Sequence, residues 1–115
     1  MAYENLILEK KDGVATLTVN RPKVLNALND ATVGELGEAF RDINEDASVG
    51  AAIITGAGDR SFISGADINE LTTKTPVEGR DSILRGQGIL NYIESMCKPV
   101  IAAINGFCLG GGMEI

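Results

Sequence analysis

Apolar and polar residues alternate over the first twenty positions. Leu6 and Leu8 share one face, and Ala15, Leu17 and Val19 share another at period two, with Thr16 and Thr18 opposite. Lys11-Asp12-Gly13 between them carries turn chemistry, so the pattern predicts a β-hairpin. Asn20-Arg21-Pro22 ends the second strand, and a loop is predicted as far as Asn29. The period then changes. Asn29 or Asp30 can cap a helix, and Val33, Leu36, Phe40 and Ile43 recur at helical spacing. Gly34 and Gly37 weaken that helix by roughly 1 kcal/mol each relative to Ala, which predicts close packing against a sheet. Residues 51–55 form a short, nearly all-apolar run, the pattern of a strand buried on both faces.

Beyond Gly56-Ala57-Gly58-Asp59, Phe62 and Ile63 predict a brief extended piece, and residues 67–71 the start of a short helix. A polar loop covers residues 72–76. Ile83, Leu90, Ile93 and Met96 mark a longer helix that stops near Lys98-Pro99, because proline disfavours helical geometry in the residue before it. Residues 100–104 predict a second buried strand, Asn105-Gly106 a turn, and Met113-Glu114-Ile115 the first turn of another helix. Strands separated by helical stretches imply an α/β fold with parallel pairing.

Length and composition narrow the reading. A chain of 115 residues, 44% apolar and 23% charged, has room for one small domain with a core. Its net charge of −6 argues against nucleic-acid binding, which needs clustered Lys and Arg. No apolar run approaches the roughly 20 residues of a membrane span, and the first eleven residues lack the apolar stretch of a signal peptide. A cytoplasmic location is therefore the default. With no His and no CxxC pair, a zinc site is not expected. Cys97 and Cys108 stand in apolar surroundings and are expected to be buried packing residues.

Two loops of small residues carry the candidate chemistry. After the second apolar run comes Gly110-Gly111-Gly112, where a backbone without side chains can approach a ligand. The first N–H groups of a helix lack internal partners, and one such donor aimed at a developing oxyanion contributes about 3 kcal/mol in a water-excluded site. A strand, a Gly-rich turn and a helix also describe a dinucleotide-binding unit, although the G-x-G-x-x-G order is absent here. A plain packing turn remains equally open. Glu114 falls within the first helical turn and supplies a carboxylate for general acid–base work, or merely a solvated capping acid. The segment 61–67, with Gly65 and Ala66, offers a second candidate donor, or an ordinary loop capped by Asp67.

Taken together the motifs say more than each alone. Asn20-Arg21-Pro22, Asn26-Ala27-Leu28, Ile53-Ile54-Thr55-Gly56, Phe62-Ile63-Ser64-Gly65-Ala66-Asp67-Ile68, Lys98-Pro99-Val100-Ile101-Ala102-Ala103-Ile104-Asn105-Gly106 and Gly110-Gly111-Gly112 with Glu114 follow one another in this order. The whole chain thereby resembles the crotonase (enoyl-CoA hydratase/isomerase) family, and within it the bacterial short-chain enoyl-CoA hydratases.

The resemblance implies a spiral of ββα units, of which residues 1–115 would form the N-terminal part. It implies an acyl-CoA thioester substrate, no separate cofactor, and assembly as a homotrimer or homohexamer. Peptide N–H groups of Ala66 and Gly111 would form an oxyanion hole. Asn26, Ala27 and Leu28 would lie near the thioester. Ser64, Gly65, Ala66, Asp67, Ile68 and Asn69 would line the CoA path, with Lys23 a candidate phosphate contact. Glu114 would match the first of two hydratase glutamates, the second being expected beyond Ile115. Isomerase, decarboxylase or hydrolase chemistry on the same scaffold, or a non-catalytic CoA-binding piece, are the alternatives. Ser64, Asn69 and Met113 depart from residues more usual in the family (Ala, Lys and Cys), and the chain is less than half of a family-length protein.

Overall fold

The structure, a computed structural model, describes residues 3–115. Strands β1 (Leu6–Lys11) and β2 (Val14–Val19) form the expected antiparallel hairpin. Asp12 and Gly13 both have positive φ (53° and 81°), as a two-residue turn matching the strand twist requires. The chain then passes through a single 3-10 turn, Pro22–Val24, into helix α1 (Asp30–Glu45). Asn29 caps α1 by accepting a hydrogen bond from the Thr32 N–H, an interaction whose loss costs about 1 kcal/mol.

Strand β3 (Ala51–Gly56) returns parallel to β2, and β5 (Val100–Ala102) lies parallel to β3, giving the order β1-β2-β3-β5. A second sheet pairs β4 (Ser61–Ile63) with β6 (Phe107–Cys108), also in parallel. Helices α2 (Ile68–Leu71), α3 (Pro76–Ser95) and α4 (Gly111–Glu114) complete the order.

The core lies between one face of the larger sheet and α1. Strand register puts Ala15 beside Ala52 and Leu17 beside Ile54, and all four are fully buried. Leu36, Ala39, Phe40 and Ile43 close over them from α1, each large side chain contributing about 1.5–3 kcal/mol by leaving water. Lys98 fastens the C-terminal end of α1 by donating to the carbonyls of Ile43 and Asp46 (2.7 and 2.5 Å).

Several expectations change. β3 is fully buried on one face only: Ala52, Ile54 and Gly56 are inside, while Ala51, Ile53 and Thr55 are half-buried. Gly37 packs against Ile89 of α3 rather than the sheet, and Gly34 faces open space. α3 begins at Pro76, inside the segment read as a loop. Thr75 and Glu78 form a reciprocal capping box there, with Pro76 in the first turn, where its missing N–H costs nothing. The strand predicted over residues 100–104 ends at Ala102 and is not buried. β5 is an edge strand, and Ile101 and Ile104 are more than half exposed. Cys97 is exposed, and Cys108 packs against the edge of the core and is only partly covered.

Candidate active site

The two small-residue loops, far apart in sequence, meet in space. Leu28 and Ala66 form an isolated parallel β-bridge: the Leu28 N–H donates to the Gly65 carbonyl, and the Asp67 N–H donates to the Leu28 carbonyl, both at 2.8 Å. A peptide's C=O and N–H point in opposite directions. With the Gly65 carbonyl aimed at Leu28, the Ala66 N–H is turned away from it. Among the described residues that N–H has no hydrogen-bond acceptor.

The glycine run reaches the same place. Gly110 has φ 49° and ψ −119°, a conformation that L side chains rarely adopt, and its Cα region abuts Gly65. Gly112 lies so close to β4 that an added β-carbon would fall 2.3 Å from the Ile63 carbonyl oxygen. This contact seats α4 on β4. Gly111 is the first residue of α4, so its N–H has no partner within the helix. A β-carbon at Gly111 would sit 3.4 Å from the Leu28 side chain.

A cavity of about 250 Å³ opens at this junction, bordered by Leu28, Ala66, Asp67, Gly111 and Glu114. Its apolar wall comes from Val33 and Leu36 of α1 and Ile83, Ile89 and Leu90 of α3. Its far side is charged. The Lys74 ammonium lies 2.9 Å from Asp30 and 3.4 Å from Glu70, and donates to the Ser82 hydroxyl at 2.7 Å. Burial acts to raise the Asp30 carboxyl, but the Lys74 and Ser82 contacts outweigh it and hold it below its ordinary value. Asp30 in turn raises the Lys74 ammonium, with Glu70 adding to the effect.

The residues singled out from sequence divide into two groups. Leu28, Ala66, Asp67, Gly111 and Glu114 border the cavity, with Glu114 exposed on α4. Asn26, Ala27 and Gly65 are buried beneath it. The Asn26 side chain is spent on backbone groups: it accepts from the Arg21 N–H and donates to the carbonyls of Ala57 and Ser61. These bonds hold Leu25 and Asn26 at positive φ (54° and 56°), a conformation that asparagine tolerates and leucine rarely adopts. Ser64 is half-covered, and Ile68 and Asn69 are exposed on α2, away from the cavity wall; Lys23 is exposed in the 3-10 turn. Arg21, Lys74 and Ser82 were not singled out. Arg21 read as the end of a strand and as part of the first family motif, with no site role attached, and nothing local links Lys74 to Asp30.

Comparison with known proteins places the chain in a family. The family model described as enoyl-CoA hydratase/isomerase covers residues 9–115. The chain belongs to the enoyl-CoA hydratase/isomerase family. Over all 115 residues it is 50% identical to a crotonyl-CoA hydratase of Syntrophomonas wolfei and 49% identical to a short-chain-enoyl-CoA hydratase of Clostridium acetobutylicum. In each case it spans 44% of the relative's length. The crystal structure of an enoyl-CoA hydratase from Bacillus anthracis superposes with a TM-score of 0.93 at 34% identity, covering 96% of this chain and 43% of that one. The α/β architecture expected from the sequence is therefore that of the N-terminal portion of such enzymes. Among the described residues no group of His, Cys, Asp or Glu could hold a metal ion, and no helix is long and apolar enough to cross a membrane.

Proposed function

We propose that the polypeptide carrying these residues reversibly hydrates trans-2-enoyl-CoA thioesters to 3-hydroxyacyl-CoA, a hydro-lyase reaction, with residues 1–115 forming the N-terminal part of its acyl-CoA-binding catalytic domain. The carrying observation is that Ala66 and Gly111, each with an N–H free of internal partners, border one cavity together with Glu114. Donors held in place before reaction stabilise charge that develops later without reorganising.

In the reaction so assigned, a thioester carbonyl accepts from both N–H groups. Water adds through its oxygen to C3, and the C2=C3 π electrons move onto the thioester oxygen as an enolate. Collapse of the enolate takes a proton at C2 from one carboxyl group, while the proton lost by the water passes to the other. Glu114 would act on the water as one of two carboxyl groups, one ionised and one protonated. CoA is part of the substrate, so the reaction needs no cofactor. The names of the crotonyl-CoA and short-chain hydratases favour a short acyl chain. Assembly as a trimer or hexamer is part of the same proposal, and native mass spectrometry tests it.

The direct test is loss of the enoyl absorbance of crotonyl-CoA on addition of the full-length polypeptide. Turnover that disappears in Gly111→Pro, which removes the donor, supports the reading. Absence of turnover in correctly folded full-length protein defeats it.

A further inference from the structure

We propose that Arg21 and Asp67 act as a clamp that fixes the aim of the Ala66 N–H, making them positioning residues for the reaction. The inference rests on the hydratase reading above and adds to it a pair of which Arg21 lies outside the cavity and Asp67 borders it.

Arg21 joins the two chain segments of the β-bridge. Its Nη1 donates to the Ala27 carbonyl at 2.6 Å and lies 3.3 Å from Asp67 Oδ2. Both side chains are largely covered, with 16% and 14% of their surface exposed, so this pair is less screened than an ion pair in open solvent. Arg21 is itself held by its main chain: its N–H donates to Asn26 Oδ1, and its carbonyl accepts from the Asn26 N–H. Asp67 is held as well, since its N–H donates to the Leu28 carbonyl and its Oδ1 accepts from the Asn69 N–H.

The guanidinium thus grips the residue before Leu28 and the residue after Ala66. Those two residues bracket the bridge. The bridge alone leaves the Ala66 peptide free to rock about the Leu28 axis, whereas a third tie outside that axis removes this freedom. A hydrogen-bond donor that drifts by even a fraction of an ångström serves a transition-state oxyanion poorly. The clamp therefore acts on rate more than on substrate binding, which draws on the whole CoA path.

The test uses the full-length polypeptide carrying Arg21→Lys or Asp67→Asn. Lysine keeps the charge, but its shorter side chain ends about one bond short of Nη1, the nitrogen that makes both contacts. Asparagine keeps the volume and can still accept from the Asn69 N–H through its side-chain oxygen. Three readouts are needed: kcat and KM on crotonyl-CoA, melting temperature, and the infrared carbonyl stretch of bound butyryl-CoA labelled with carbon-13 at the thioester. Butyryl-CoA lacks the double bond and cannot react.

The expected result in either variant is a kcat lowered about 10- to 100-fold, with melting temperature nearly unchanged and a smaller downward shift of the carbonyl stretch; KM should stay nearly unchanged in Arg21→Lys, because Arg21 does not border the cavity. The double variant should lose no more than the worse single one, because the two residues form one tie. A folded variant with unchanged kcat and carbonyl shift overturns the clamp, as does a rate loss that only follows lost stability. If bound butyryl-CoA shows no carbonyl shift in the unsubstituted protein, the oxyanion hole itself fails and the clamp with it.

Discussion

The two halves of this chain are packed in different ways. Every fully buried apolar side chain among the described residues lies between Leu6 and Ile63, where two faces close on one another. From Ser64 onward only Gly65 and Gly112 are buried, and Val77, Ile83, Ile101, Phe107, Leu109 and Met113 are all more than half exposed. The first half holds a core, whereas the second carries apolar surface and most of the candidate chemistry. The candidate site is built where the two meet: Ala66 is tied back to Leu28, and Gly112 rests on Ile63.

That contrast can be tested at its most extreme point first. Glu114→Gln, in the uncovered half, is expected to lower turnover of crotonyl-CoA by the full-length polypeptide about 10²- to 10⁴-fold. In the 115-residue chain the same change should leave the melting temperature unaltered, because the side chain is exposed there; steady-state kinetics of the full-length polypeptide beside thermal denaturation of the chain checks both. Phe40→Ala should do the opposite. It removes a fully buried ring from the 115-residue chain and should cost about 3–5 kcal/mol in urea denaturation. Ile83→Ala in the same chain should change stability by no more than about 0.5 kcal/mol, since the side chain is 61% exposed. A loss like that of Phe40→Ala would show that the two halves are packed alike.

The smallest effect concerns pH. The Asp30 carboxyl is held below its ordinary value of 3.8 by Lys74 and Ser82 despite its partial burial. A carboxyl depressed in the folded state stabilises the fold above the unfolded value, and that contribution is lost as pH falls through the folded one. Lys74→Met should therefore lower the melting temperature slightly at every pH above about 4, neutrality included, and flatten its fall on acidification below that, where the wild-type contribution is lost anyway.

What could be read from the residues alone follows the same division. The hairpin was legible because Asp12-Gly13 is a local turn signal flanked by period-two strands, and the Asn29 cap because its partner is three residues away. The start of α3 was missed because Pro76 reads as a breaker unless Thr75 and Glu78 are considered with it. Residues 100–104 were read as buried because an apolar run reports composition, whereas burial needs a second layer that composition does not describe. The candidate donors came from motif order, and their meeting depends on bridges spanning dozens of residues. Arg21 and Asp67, 46 positions apart, had no local signal to connect them, and Asn26 gave no sign that its amide would be consumed by backbone groups.

The seat of Gly112 on Ile63 also couples mechanics to chemistry. Because no atom separates that α-carbon from the strand beneath it, any shift of β4 is transmitted to the turn carrying Gly111 with little slack. Conservative changes in the interior at Phe62 or Ile63 should then register as kinetic defects before they register as unfolding, so assays of rate would report on packing in this region more sensitively than calorimetry.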